Sequence, residues 1–219
     1  MSPADADEMK WAGVRVIESY RVAAADAAPV MDVLLAAYQS ADRHYHNLEH
    51  LDEMFRVAGR LAGITDDLRA VQLAIWFHDA VYDSRAKDNE ARSADLAVKL
   101  LGPIGVPRSE LEKLVRLIDA TAHRANALPP VDRETTLLVD ADLAILGAAP
   151  ERYREYAAAI RAEYDWVPEE SYRTGRAAVL EQFLARPRIF WTDALHDECD
   201  EPARANLRTE LASLHSDRL

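Results

Sequence analysis

The residues of this chain best suited to chemistry are His78 and Asp79, which are adjacent in an apolar segment. Almost every other side chain from Ala70 to Val81 is apolar, so the pattern predicts a helix that is buried on all sides. A buried carboxylate needs a cation or a set of hydrogen-bond donors, because an unpaired buried charge costs several kcal/mol or more. A divalent metal ion would satisfy both side chains together.

Two histidines lie in the preceding predicted helix, over residues 46–62. His46 and His50 are four residues apart, so both are expected on the face that carries the apolar stripe of this helix. The same five residues, His-Asn-Leu-Glu-His, match the H-x-x-E-H zinc motif of one class of metallopeptidases. That alternative leaves His78 and Asp79 without a role, and no later glutamate is clearly placed as a third zinc ligand.

A pair of aspartates offers the remaining ligand. Asp140 and Asp142 interrupt a second apolar segment, residues 134–146. Two residues along a helix turn the side chain by about 200°, so only one of them faces inward, and periodicity leaves open which one. The candidate ligands are therefore His50, His78, Asp79 and either Asp140 or Asp142. Such mixed nitrogen and oxygen ligation suits Mn, Fe, Co, Ni, Zn or Mg and leaves positions for water and substrate.

The composition predicts that the elements which position these residues are all helices. Of 219 residues only 7 are Gly, and valine- or threonine-rich alternating segments are missing. The predicted helices span residues 9–23, 29–39, 46–62, 89–101, 109–123, 134–146, 150–165, 169–185, 188–198 and 202–215. A further predicted helix, which Asp66 or Asp67 can cap, carries His78 and Asp79. Pro29 is expected in a first turn, and Pro202 is expected between the last two helices. We predict one all-α domain over residues 1–219, with a metal-binding core at about 40–147 and a helical C-terminal extension at about 150–215.

The excess of acidic residues limits which molecules the protein can bind. With 26 Lys+Arg against 38 Asp+Glu the net charge is −12, so we expect no binding of extended nucleic acid. The single Cys199 excludes an internal disulfide and fits a reducing compartment. The chain has no apolar run of about 18 residues and begins with an acidic segment, so we predict a cytoplasmic protein that makes no membrane contact. Amphipathic C-terminal helices can pack internally or against a second subunit, which leaves a homodimer open.

Several blocks around the candidate ligands resemble one known family. They are Arg43-His-Tyr-His-Asn-Leu-Glu-His-Leu, Trp76-Phe-His-Asp-Ala-Val-Tyr-Asp, Asp88-Asn-Glu-Ala-Arg-Ser-Ala and Asp140-Ala-Asp-Leu-Ala-Ile-Leu-Gly, with later blocks Ile160-Arg-Ala-Glu-Tyr, Gly175-Arg-Ala-Ala-Val-Leu and Ala203-Arg-Ala-Asn-Leu-Arg-Thr-Glu-Leu. Together they cover nearly the whole chain and are similar to the predicted metal-dependent phosphohydrolases of the HD-domain superfamily. The resemblance implies an HD-domain helical bundle that hydrolyses phosphate esters or anhydrides of a small phosphorylated or nucleotide substrate.

The resemblance also implies a ligand set, in which His50, His78, Asp79 and Asp142 match the metal ligands of the family. Asp142 is preferred because superfamily members commonly read Ala-Asp-Arg/Lys-Leu at this point, and Ala141-Asp142-Leu143 aligns with it. Leu143 stands where the basic residue would be, which keeps Asp140 as the alternative.

Residues that flank these ligands are candidates for the remaining chemistry. A bound divalent ion would activate a water and polarise a phosphoryl oxygen, and nearby cations would neutralise the phosphate. The flanking cations are Arg43, Lys87, Arg92 and Arg124, of which Lys87 is preferred. Asp83, about one helical turn beyond Asp79, is a candidate general base, and His46 is a candidate for contacting the phosphate or protonating the leaving group. His123 is expected to line the same cavity. A sensor that binds a nucleotide or phosphate ligand without turnover is a further alternative.

Overall fold

Helices and their connections make up the whole of the computed structural model, which describes residues 1–123, 130 and 132–216. Within these residues there are ten α-helices, two 3-10 turns and no strand, so the all-α prediction is confirmed. The helices are α1 Pro3–Glu18, α2 Ala24–Tyr38, α3 Leu48–Arg60, α4 Leu68–Phe77, α5 Asn89–Leu101, α6 Arg108–Ala120, α7 Arg133–Leu143, α8 Pro150–Glu163, α9 Glu169–Leu184 and α10 Asp193–Ser216. No helix among them is long and apolar enough to cross a membrane.

Helix α3 begins at Leu48, two residues later than predicted. Asn47 is its N-cap, because the side-chain oxygen of Asn47 accepts hydrogen bonds from the backbone N–H groups of Glu49 and His50. His46 therefore lies in the loop before the helix. The prediction that His46 and His50 share one helix face is wrong.

Helix α4 ends at Phe77, so His78 is its C-cap and Asp79 lies beyond it. At the other end, the expected capping by an aspartate is confirmed at Asp67, whose side chain accepts from the N–H of Ala70. The helix was predicted to include His78 and Asp79. It stops earlier because the backbone after Phe77 has partners outside the helix. The N–H of Val81, for example, donates to the hydroxyl of Ser93.

Helix α7 lies between two apolar clusters. Leu137, Leu138 and Ala141 pack into the first, which α1 to α6 also line. Val139 and Leu143 pack into the second, which is formed mainly by α8, α9, α10 and the 3-10 turn Ala144–Gly147. A helix that is buried on opposite faces explains why residues 134–146 are apolar on nearly all sides.

Two prolines that the sequence places at helix boundaries lie inside helices. Pro29 is within α2, and Pro202 is within α10. A proline removes one helical hydrogen bond and costs about 3 kcal/mol in a helix interior. Ala203 and Leu207 follow Pro202 and are fully buried, so packing against the second apolar cluster keeps α10 continuous.

Candidate metal centre

Three of the predicted ligands converge between α3, α4 and α7. His50 Nε2 lies 3.3 Å from His78 Nε2 and 3.2 Å from Asp142 Oδ1, and His78 Nε2 lies 3.8 Å from the same oxygen. Ligand atoms about 2.1 Å from a common ion are separated by about 3.0 Å at octahedral angles and about 3.4 Å at tetrahedral angles. The separations are close to this range, so the group could hold a metal ion.

Asp79, the fourth predicted ligand, lies at one side of this group. Its Oδ2 is 3.1 Å from His78 Nε2 and 3.9 Å from His46 Nε2. Asp79 is not part of the group whose ligand atoms all lie within 4.8 Å of one another, which consists of His50, His78 and Asp142. The carboxylate of Asp79 therefore borders the three-residue cluster on the side of His46.

The orientation of His78 suits metal binding. Its Nδ1 lies 3.0 Å from the carbonyl oxygen of Ile75, one turn earlier in α4. A carbonyl only accepts, so Nδ1 carries the proton and the neutral ring presents the lone pair of Nε2 to the cluster. His50 and His78 are 2% and 1% exposed, which keeps bulk water away from both rings.

Burial and the neighbouring carboxylates act in opposite directions on these groups. Burial lowers the pKa of His78, but the Asp79 carboxylate, with Asp142 and the Ile75 carbonyl, raises it to about 9. Burial dominates at His50, whose pKa is lowered. Burial would raise the pKa of Asp142, yet hydrogen bonds from His123 and His50 hold it well below its usual range. The raised pKa favours the protonated form of His78 beside the ionised carboxylates of Asp79 and Asp142.

Asp142 and Asp140 have different partners. The second oxygen of Asp142 lies 2.7 Å from His123 Nε2, which must donate because the carboxylate is ionised. Both oxygens of the fully buried Asp140 accept backbone N–H groups at the start of α10, from Trp191 at 2.8 Å and Thr192 at 2.6 Å. Asp142 is thus the aspartate that faces the histidines, and Asp140 anchors the C-terminal extension.

His123, a predicted substrate-binding residue, adjoins the cluster through Asp142. Since its Nε2 donates to that carboxylate, the ring orients a candidate ligand. Its backbone has a φ of 44°, and its carbonyl accepts from Gln182 and Arg186 of the extension.

Arg43, which was predicted to contact substrate phosphate, has backbone partners in the structure. Its guanidinium is buried and donates to three carbonyl oxygens, those of Asp79 at 2.7 Å, Ala80 at 3.1 Å and His46 at 3.2 Å. The N–H of Asp79 also donates to Tyr38 Oη at 3.3 Å. These bonds hold the turn that carries Asp79 and connect it to the loop before α3.

Glu163, at the C-terminus of α8, is a site residue that sequence reasoning missed. Its Oε2 lies 2.6 Å from His46 Nδ1 and accepts from Tyr82 Oη at 3.0 Å, while the His46 and Tyr82 rings stack at 4.1 Å. Burial would raise the pKa of Glu163, but hydrogen bonds from His46 and the backbone lower it to about 2. Glu163 lies within the block Ile160-Arg-Ala-Glu-Tyr, which was the available signal, but no spacing connects it to His46.

Two predicted residues lie in the exposed segment after the cluster. Asp83 Oδ1 accepts from the N–H of Arg85, so its carboxylate holds a turn. Neither Asp83 nor Lys87 makes a hydrogen bond or ion pair with the cluster among the described residues. The structure therefore gives no contact that supports Asp83 as general base. Arg124 lies outside the described residues.

The geometry of the H-x-x-E-H motif does not fit a metallopeptidase. Glu49, which would act as general base, is 63% exposed and pairs with the amino group of Met1 at 2.9 Å. His46 precedes α3 and its Nδ1 is bound to Glu163. The two histidines therefore do not form the paired ligands that this motif requires on one helix face.

The comparisons with known proteins identify no relative. No protein-family model, no curated protein and no solved structure matches the chain.

Proposed function

We propose that this protein is a metal-dependent phosphohydrolase, which cleaves a phosphoester or phosphoanhydride bond in a small phosphorylated or nucleotide substrate. The observation that carries the proposal is the convergence of His50, His78 and Asp142 at separations of 3.2–3.8 Å, with Asp79 beside them. Two imidazoles and two carboxylates suit a divalent ion that keeps positions for water and substrate.

The burial pattern of the site supports access from one side. The rings of His50 and His78 are almost fully buried, whereas the side chains of Asp79, Asp142 and His46 retain some exposure. A small substrate can therefore approach the carboxylate side of the cluster while the histidine side stays closed. The burial of the two histidine rings excludes bulk water from their side of the cluster and strengthens the electrostatic interactions there.

The proposed roles follow from these positions. A divalent ion held by His50, His78, Asp142 and Asp79 would activate a water and polarise a phosphoryl oxygen. His46 Nε2 points to the same side as Asp79 and is placed to accept a proton from the attacking water. Lys87, which has no ion-pair partner among the described residues, is available to neutralise the phosphate.

The phosphohydrolase assignment, in preference to other metal-dependent chemistry, is supported by the sequence blocks that resemble the HD-domain phosphohydrolases. These blocks contain all four proposed ligands. The surface position of Glu49 argues against the peptidase alternative.

The experiment that tests the proposal is a turnover assay on the metal-loaded chain. The purified protein is loaded in turn with Mn, Fe, Co, Ni, Zn or Mg and incubated with p-nitrophenyl phosphate, a phosphodiester analogue and a panel of nucleotides. Release of p-nitrophenol, phosphate or pyrophosphate is followed, with Asp142→Asn as the site variant and the surface change Asp52→Asn as its control. We expect metal-dependent turnover that Asp142→Asn abolishes and Asp52→Asn retains.

Other outcomes would contradict the proposal in different ways. Tight nucleotide binding without turnover under any metal would indicate a sensor. A chain that binds none of these metals would remove the basis of the assignment.

A further inference from the structure

The carboxylate of Glu163 connects the C-terminal extension to the loop before α3. Its Oε1 accepts three consecutive backbone N–H groups, from His44 at 2.9 Å, Tyr45 at 2.7 Å and His46 at 2.9 Å. Glu163 is only 5% exposed, so these three donors have an ionised partner in a place that bulk water scarcely reaches. A charge-assisted set of this kind fixes the backbone on which His46 is carried.

The other oxygen of Glu163 determines which nitrogen of His46 carries the proton. Oε2 lies 2.6 Å from His46 Nδ1, and an ionised carboxylate can only accept. Nδ1 is therefore the protonated nitrogen of the neutral ring, and Nε2 presents a lone pair. That lone pair lies on the side of Asp79, whose Oδ2 is 3.9 Å from Nε2.

The tilt of the ring is also restrained. Tyr82 stacks on the His46 ring at a centroid distance of 4.1 Å, and its hydroxyl donates to the same Oε2 of Glu163. Tyr82 lies three residues after Asp79, in the segment that leaves the metal centre. Glu163 thus binds both the histidine and the aromatic ring that covers it.

We propose that Glu163 is a positioning residue, which holds His46 as the Nδ1–H tautomer so that Nε2 faces the metal centre as an acceptor. The consequence for catalysis rests on the proposed hydrolase function, whereas the tautomer itself does not. A carboxylate that fixes the tautomer of a histidine has this role in serine proteases, where the amide variant presents the wrong tautomer and lowers kcat about 10⁴-fold. The site is then incomplete without α8.

The direct test is the tautomer of His46 in the wild-type chain. Long-range ¹H–¹⁵N correlation spectra of the full chain, metal-free and zinc-loaded, distinguish a protonated from an unprotonated ring nitrogen. They are recorded at a pH where the neutral ring predominates, and His46→Gln assigns the signals. We expect a protonated Nδ1 and an unprotonated Nε2. A protonated Nε2 beside an unprotonated Nδ1 would overturn the proposal, and this measurement needs no folded Glu163 variant.

The variant Glu163→Gln reverses the expected signal. The carbonyl oxygen of Gln can still accept the three backbone N–H groups, while its NH₂ replaces Oε2 and donates to His46. We therefore expect Nδ1 to become the acceptor and Nε2 to carry the proton. An unchanged tautomer in a folded Glu163→Gln chain would overturn the proposal. The matched control is Glu155→Gln, an exposed glutamate on the same helix, which should leave the His46 signals unchanged.

The activity measurement separates this inference from the hydrolase proposal. We expect Glu163→Gln to lower kcat about 100-fold with KM changed less than about threefold, because substrate binding remains while the acceptor nitrogen is lost. Glu155→Gln should retain wild-type kcat. A reversed tautomer with unchanged kcat would overturn the positioning role. A wild-type chain that shows the Nδ1–H tautomer but hydrolyses nothing would contradict the hydrolase proposal alone.

Discussion

Asp140 and Asp142 are two residues apart on α7, and their carboxylates serve different parts of the molecule. Asp142 lies 3.2 Å from His50 Nε2 at the candidate metal centre, whereas Asp140 accepts two backbone N–H groups at the start of α10. The rotation of about 200° between such positions on a helix sends one side chain to each side. A single helix therefore links the candidate site to the extension.

This relationship predicts opposite consequences for two equivalent substitutions. Asp142→Asn should weaken metal binding at least about 10-fold and leave the fold intact, because it removes a charged ligand. Asp140→Asn should retain the metal and lower the free energy of unfolding by about 1–3 kcal/mol, because the amide NH₂ faces a backbone N–H that then has no acceptor. Metal titration and denaturant unfolding measure the two effects. Equal metal loss in both variants would contradict the assignment.

Arg43 should be needed for the geometry of the candidate metal centre. Arg43→Met removes the donors to the carbonyls of His46, Asp79 and Ala80, so we expect a loss of about 2 kcal/mol or more in unfolding free energy together with weaker metal binding. Arg56→Met is the control, since Arg56 pairs with Asp52 at the surface and should change stability by less than about 1 kcal/mol. Similar stabilities for the two variants would show that the three carbonyl bonds do not hold the turn.

Metal binding should weaken as the pH falls. An ion needs the unprotonated Nε2 of His78, whose pKa without metal is raised to about 9, so binding at neutral pH must displace one proton. We expect the apparent affinity to fall about tenfold per pH unit below about 9, and titration calorimetry in buffers of different ionisation enthalpy to report about one proton released. His50 should add little, because burial lowers its pKa. An affinity that does not change between pH 7 and 9 would rule out this competition.

The metal-free chain should show the opposite dependence in its stability. The folded state holds the His78 proton more tightly than the unfolded state, in which the pKa of His78 is near 6.5. This contribution is complete below about pH 6.5 and is lost as the pH rises through about 9. Thermal unfolding of the metal-free chain over this range measures it, and His78→Gln, which cannot titrate, should lack the decline.

Glu49 should have no part in catalysis or metal binding. Its carboxylate pairs with the terminal amino group at the surface, so Glu49→Gln should leave metal content and turnover unchanged. Under the peptidase alternative this substitution would remove the general base and abolish activity.

Asp79→Ala, by contrast, should damage metal binding more than His46→Ala, because the carboxylate of Asp79 lies 3.1 Å from His78 Nε2.

The residues before α8 should not form the site by themselves. A chain that ends at residue 149 would expose Leu143, Ile145 and Leu146, each worth about 1.5–3 kcal/mol of burial, and would leave the N–H groups of His44 to His46 without Glu163. We expect this fragment to lose cooperative unfolding and metal binding, as measured by circular dichroism and elemental analysis. A folded fragment that binds metal would place the domain boundary at residue 149.

The spacing of apolar residues located most helices, because each helix carries an uninterrupted apolar stripe toward the core. Asn89–Leu101 agrees with the prediction at both ends, where Asp88 and Gly102 bound it. The prediction was wrong at the start of α3, at the end of α4 and at the two prolines that lie inside helices. The loop at His46 and the turn at Asp79 are held by Glu163 and Arg43, whose bonds to them span 117 and 36 residues. Partners so distant in the sequence produce no pattern near the residues that they hold.

The residue types alone determined that the chain is helical and predicted that carboxylates inside two apolar segments need partners, because unpaired buried charge is costly. The tertiary structure decided which groups meet. It turned Asp142 toward the histidines and Asp140 toward α10, used Arg43 on carbonyl oxygens, and brought Glu163 to His46. The direction of a side chain in a site of this kind depends on contacts between distant segments, which become fixed only when the helices pack.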